Sequence, residues 1–244
     1  MKVIGLIGGM SWESTAVYYQ QINRLTAARQ GGLHSAKVLL HSFDFALIAE
    51  LQQQGEWARL AGELAGAAAA LEQIGAGCLG ICTNTMHKVA AEVQAAVSIP
   101  LLDIRDATGK AARLAGMRRV GLLGTRYTME QEFFRLYLSR EWKLEVLIPP
   151  LRDLDCVHDI IFGELCQGSV LPESRRRLVL LIQQMAEGGA EGIILGCTEL
   201  MLLLGPADCP LPVLDTTTLH VQALVDFSLS TKIEKEKVGI LPLL

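Results

Sequence analysis

Gly75-Ala76-Gly77-Cys78-Leu79-Gly80-Ile81-Cys82-Thr83-Asn84-Thr85 and Gly189-Ala190-Glu191-Gly192-Ile193-Ile194-Leu195-Gly196-Cys197-Thr198-Glu199 share one construction: a glycine-bearing turn, an apolar run, then small polar residues. A short apolar run bounded by turn signals reads as a buried strand. Upstream, Val3-Ile4-Gly5-Leu6-Ile7-Gly8-Gly9 is echoed by Arg119-Val120-Gly121-Leu122-Leu123-Gly124-Thr125. Downstream, Ile99-Pro100-Leu101-Leu102-Asp103 is echoed by Leu211-Pro212-Val213-Leu214-Asp215. Three matched anchors, in one order and at nearly equal separations, argue for an internal duplication rather than for shared strand–glycine–helix grammar.

Working outward, strand-like runs fall at 2–7, 37–42, 78–82, 119–123, 144–148 and 192–196. Helical periodicity occupies 14–29, 56–75, 88–96, 108–115, 130–139, 156–167, 172–188 and 217–228. This alternation predicts an α/β fold of two domains related by a pseudo-two-fold axis, each a mostly parallel sheet flanked by helices. Open sheets of this kind bind ligands beyond the carboxyl ends of their strands, so the active site is expected in the cleft between the halves. Residues 1–100 with 210–230 are read as the first domain, 101–209 as the second and 231–244 as a tail.

Composition narrows the function. The chain has 244 residues, 50% apolar and 20% charged, with a formal charge of −4. That is a packed globule with scattered basic residues, which argues against nucleic acid as a partner. No apolar stretch approaches bilayer length, and the opening run is too short for a signal sequence, so a cytoplasmic location and no membrane contact are expected. Six cysteines without a CxxC pair signal neither a metal site nor a disulfide framework.

A side chain on each side of a bound carbon is what racemisation requires: a proton leaves one face and returns to the other. Equivalent positions in the repeat supply such a pair, Thr83 and Cys197. Cys197 is placed at a strand-to-helix turn, where the positive end of a helix would lower its pKa and favour the reactive thiolate. Asn84 and Thr85 offer an amide, a hydroxyl and open backbone N–H groups for a carboxylate, or simply cap the following helix. Thr198 is the matching donor from the other half, and the Met10-Ser11 and Thr125 turns are two more open loops. Cys82 competes with Thr83, because one register step reverses the face a strand residue presents. His87 and Glu199 lie one turn beyond the candidate bases, where they tune them, cap the helix or face solvent. Cys156 and Cys166 read as packing residues on a helical stretch, and Gln52 by itself as a loop or surface residue.

At Gly8-Gly9-Met10-Ser11, Thr83-Asn84-Thr85-Met86-His87, Gly124-Thr125 and Gly196-Cys197-Thr198-Glu199 the sequence resembles the aspartate/glutamate racemase family, in order and spacing, from Met1 to about Ser230. Within it the chain is most similar to the aspartate and broad-specificity branch. Glutamate racemases of wall synthesis usually carry histidine where this chain has Glu199. The resemblance implies a racemase of free amino acids or a related dicarboxylate that needs no pyridoxal phosphate, metal or nucleotide and commonly forms a homodimer. It assigns substrate binding to Met10, Ser11, Gln52, Asn84, Thr85, Thr125 and Thr198.

Two departures carry information. The family pattern has cysteine where this chain has Thr83, and a hydroxyl is a poor unaided base. Aspartate-specific relatives also place a lysine near Glu164-Leu165-Cys166-Gln167-Gly168, where this chain has none, so neutral amino acids enter the expected substrate range. Competing readings are a hydantoin racemase or malonate-type decarboxylase on the same scaffold, for which one thiol suffices, and a non-catalytic amino-acid-binding protein. The tail, with charges from Lys232 to Lys237 and an apolar end, reads as either a disordered end or a clip onto a partner subunit.

Overall fold

The computed structural model describes residues 1–230; the tail lies outside the described residues. The first sheet comprises β1 (Ile4–Gly8), β2 (Val38–Ser42) and β3 (Cys78–Ile81) in the order β2-β1-β3, all parallel. Leu101 extends it by a single parallel bridge to Leu79. The second comprises β4 (Arg119–Gly124), β5 (Glu145–Leu147), β6 (Ile193–Gly196) and β7 (Val213–Asp215) in the order β5-β4-β6-β7, again parallel. Read with the Leu101 bridge, the two sheets have one topology. The inner strands β1, β3, β4 and β6 are buried almost throughout, while β2 and β5 are partly exposed. Helices cover both faces of the inner strands, which is why these strands read as continuous apolar runs rather than as alternation.

The helices are α1 (Trp12–Gln30), α2 (Phe45–Gln54), α3 (Trp57–Gln73), α4 (Ala90–Ala95), α5 (Ile104–Leu114), α6 (Arg126–Glu130), α7 (Glu132–Trp142), α8 (Leu151–Asp159), α9 (Pro172–Glu187), α10 (Leu200–Leu203) and α11 (Thr216–Leu229). Aspartates start the two connecting helices in the same way. Asp103 accepts from Arg105 N at the start of α5, and Asp215 accepts from Thr217 N and Thr218 N at the start of α11. Such side-chain caps satisfy N–H groups that the helix cannot.

From these starts the helices part company. Ile104 and Ala112 of α5 belong to the core of the second sheet, with Val120, Leu122 and Ile194. Val221, Leu224 and Val225 of α11 pack instead with Ile4, Leu6, Cys78 and Cys82 of the first sheet. Thus α5 serves the second sheet and α11 the first. Past residue 210, where the return was expected, Val213–Asp215 still pairs with β6. This strand is short and follows a proline, so it carries too few apolar residues to stand out as a run. His220 Nε2 donates to Leu102 O at 2.7 Å, tying the return to the point of departure.

Two elements differ from the sequence reading. Residues 45–54 form a helix, capped by Asp44 and closed by Gly55 in the left-handed conformation. Three consecutive glutamines hid its amphipathic pattern, although both caps are ordinary signals. The stretch 156–167 is not one helix: α8 ends at Asp159, a wide π turn spans Ile160–Glu164, and a tight 3-10 turn covers Leu165–Gln167.

Candidate functional site

The backbone ladders settle which residues are equivalent. In the first sheet Gly5 pairs with Leu79 and Ile7 with Ile81; in the second Gly121 pairs with Ile193 and Leu123 with Leu195. Carrying this register two residues past Ile81 and past Leu195 superposes Thr83 on Cys197 and Asn84 on Thr198. Both pairs leave the carboxyl ends of the central strands and line a single cleft between the two sheets.

Met10, Ser11, Gln52, Thr85, Thr125 and Glu199 line the same cleft. The Met10-Ser11 wall is brought in by Gly9, which has φ +82°; a Cβ there would fall 2.3 Å from Phe43 O. Gln52 is buried on α2 rather than exposed on a loop, and donates to Met86 Sδ at 3.2 Å. Thr125 caps α6 and sits 3.4 Å from the Thr85 hydroxyl, bridging the halves.

Asn84 does not cap the turn that follows it. Its Nδ2 donates to Thr216 Oγ1 at 3.0 Å, while that hydroxyl gives its own proton to Leu195 O at 2.9 Å. The hydroxyl has one proton to give, so the amide orientation is determined. Asn84 Oδ1 is left as a buried acceptor without a partner among the described residues. A buried unsatisfied acceptor costs about 1–3 kcal/mol, which a ligand donor would relieve.

Cys82 does not line the cleft. It is fully buried in the core with Ile4, Tyr18 and Leu224, and burial pushes its thiol well above the ordinary range. His87 is buried as well and faces neither solvent nor the cleft. Ile104 N–H donates to its Nε2 at 3.2 Å, so Nδ1 carries the proton and donates to Thr83 O at 2.8 Å. His87 therefore fixes the backbone of Thr83, and burial keeps it neutral by lowering its pKa. The Thr83 hydroxyl has no hydrogen bond among the described residues.

Cys197 is the opposite case. Its Sγ donates to Glu199 Oε2 at 2.8 Å. Glu199 is buried, and its Oε1 accepts from Ser11 Oγ at 3.0 Å and Ser14 Oγ at 2.8 Å, both on the first half. Ser14 Oγ also lies 2.8 Å from Thr198 Oγ1. The expectation of a thiolate favoured by a helix end is corrected here. The helix that follows, α10, has four residues, too short for much dipole. Burial first, and then the Glu199 carboxylate, raises the Cys197 pKa.

The far wall was invisible to sequence reasoning. Ile161, Phe162 and Cys166 from the π and 3-10 turns line the cleft with Phe45 and Ser14. Cys166 is thus a wall residue rather than mere packing; burial, followed by Glu199 and Glu13, pushes its thiol up to about 12. The irregular turns rotate these side chains off the face that helical periodicity would assign. Among the described residues lining the cleft, Glu199 is the sole charged group and no lysine or arginine is present.

This arrangement defines a class: two-lobed parallel α/β proteins that bind a small molecule between matched strand ends, with an ionisable side chain on at least one wall. The Asp/Glu/Hydantoin racemase family model matches residues 7–224. A candidate Asp/Glu racemase from Yersinia pestis is 47% identical, covers 94% of this chain and 100% of its own, and superposes with a TM-score of 0.90. An aspartate racemase homologue from Pyrococcus horikoshii is 33% identical over 94% of this chain and 100% of its own, with a TM-score of 0.83. The Picrophilus torridus aspartate racemase, 20% identical over 99% and 100% of the two chains with a TM-score of 0.77, shares the fold. The chain belongs to the Asp/Glu/Hydantoin racemase family. Among the described residues no helix is long and apolar enough to cross a membrane, and no cluster of side chains has the make-up of a metal site.

Proposed function

We propose that this protein racemises free α-amino acids by proton transfer at Cα, with Cys197 and Thr83 serving opposite faces. The observation that carries this reading is the ladder equivalence of the two residues at one cleft. Thr85, Thr125 and Thr198 hydroxyls hold the substrate carboxylate, and Asn84 Oδ1 accepts a hydrogen bond from the ammonium group. In one direction the Cys197 thiolate removes the Cα proton, the electron pair spreads into the substrate carboxylate, and Thr83 Oγ–H reprotonates the other face. Water resupplies the threonine oxygen, and the hydroxide left behind is neutralised by the proton that Cys197 gained.

The reverse direction asks Thr83 to act as base, and an alcohol ionises far less readily than a thiol. Its chemical step is therefore the slower one. The equilibrium constant of a racemisation is one, so kcat and KM differ between enantiomers while their ratio does not. The reaction as read takes no pyridoxal phosphate.

The wall of Phe45, Ile161 and Phe162, with no cation beside it, extends the substrate range to neutral amino acids. A side-chain carboxylate would meet apolar surface and the Glu199 charge. Proton NMR of an amino-acid panel with the enzyme in deuterium oxide tests the reading. Loss of Cα signals from neutral amino acids at least as fast as from aspartate and glutamate is expected. Binding with no Cα exchange in any member of the panel would sink the racemase reading.

A further inference from the structure

We propose that Glu199 is the proton acceptor for Cys197, so that the resting pair is a thiol on a carboxylate and the reactive thiolate forms only as the proton crosses to Glu199. This rests on the racemase reading for its consequence, though the pairing itself does not. Sγ and Oε2 are 2.8 Å apart, close enough for direct transfer. The carboxylate is buried, and its other oxygen is already held by Ser11 and Ser14.

The surroundings decide where the charge sits. Ser11 and Ser14 give the pair two hydroxyls, Cys166 of the 165–167 turn lies near it with Glu13 acting on that thiol in turn, and Thr83 and Asn84 line the same cleft. None of these is a cation. Losing the thiol proton to solvent would place two negative charges side by side in a partly buried site. Passing it to Glu199 keeps the charge of the pair at minus one, with one proton shared between the two groups.

The steps balance. The Cys197 S–H bond breaks and an O–H bond forms on Glu199 Oε2, leaving the electron pair on sulfur. The substrate Cα–H bond then breaks, S–H re-forms, and the Cα electron pair spreads into the substrate carboxylate. Thr83 Oγ–H protonates the far face, its oxygen recovers a proton from water, and Glu199 returns its proton to water.

Glu199→Gln is the test, read in two ways on the whole protein. Peptide-resolved alkylation of Cys197 with iodoacetamide across pH should show its midpoint falling by a pH unit or more, because a neutral amide removes the like charge. Turnover at neutral pH should nevertheless fall by about 100-fold, the worth of a positioned acid–base group. The variant's rate should then climb with pH through the new Cys197 midpoint. Glu199→Asp, which keeps the carboxylate, should recover most of the loss and hold the midpoint high; it decides the matter if the glutamine variant fails to fold. A glutamine variant within threefold of wild-type turnover, or a Cys197 midpoint that stays put or rises, overturns the proposal. If wild-type enzyme exchanges no Cα proton while the midpoint shifts as described, the pairing stands and the racemase reading is what fails.

Discussion

The two halves have the same ladders and the same aspartate caps, yet they bring unlike chemistry to the cleft. On the first half, Thr83 offers a hydroxyl with no hydrogen bond among the described residues, and its backbone is pinned by a neutral histidine. On the second, Cys197 is engaged by a buried carboxylate that in turn leans on two serines of the first half. Duplication thus preserved the backbone frame while the side chains at its mouth diverged. Each wall leans on the other half: the histidine behind Thr83 accepts from Ile104 N–H, and the carboxylate beside Cys197 is held by Ser11 and Ser14.

The sharpest way to break this comparison is to remove the thiol. Cys197→Ala should lower Cα exchange for both enantiomers by on the order of 10³-fold, more than Thr83→Ala, since water can stand in for a proton donor more easily than for the base. A smaller effect should come from making the halves alike. Thr83→Cys should raise kcat for the poorer enantiomer by about 10- to 100-fold with little change for the better one, measured by circular dichroism of each pure enantiomer.

Next in size is the contrast between the caps. Asp103 also holds the guanidinium of Arg105, which is itself buried and donates to Phe133 O at 3.0 Å. Asp103→Ala strands that charge and should cost about 3–5 kcal/mol. Asp215 binds two backbone N–H groups and the Thr218 hydroxyl and carries no such partner, so Asp215→Ala should cost about 1–2 kcal/mol. Urea unfolding of the two variants measures the difference.

The smallest effect is in pH. Burial lowers the pKa of His87, and burial followed by the proximity of His87 pushes His220 down to about 3. The unfolded chain takes up these protons as pH falls through 6.5, whereas the folded chain resists. Stability is therefore full above that value and declines as pH falls below it, by about 1 kcal/mol per histidine over the first pH unit. A pH series of unfolding free energies should show the slope, and His220→Asn should flatten it.

How much of this was readable in the residues depended on what each signal measured. The repeat, the central strands and the equivalent positions of Thr83 and Cys197 past the strand ends were legible because buried parallel strands write themselves as glycine-bounded apolar runs. The far wall of Ile161, Phe162 and Cys166 was not, because a π turn obeys no sequence period. The role of Glu199 was half legible: its position was visible two residues from the thiol, but not whether it would turn toward sulfur or solvent. The helix-end argument for Cys197 failed on length, since sequence marked where α10 begins and not how soon it stops. Gln52 was missed as a buried residue because its helix is rich in glutamine, although Asp44 and Gly55 marked both ends.

The two junctions between halves, at Leu102–Asp103 and at Asp215–Thr216, are bridged by the hydrogen bond from His220 to the Leu102 carbonyl. We read residues 103–215 as a cassette whose entry and exit stand close together. A transplant of that cassette from a relative would have to match two splice points and the contacts between the halves, among them the serines that meet Glu199 and the Thr85–Thr125 pair. The chimera would carry one parent's sulfur opposite the other parent's oxygen.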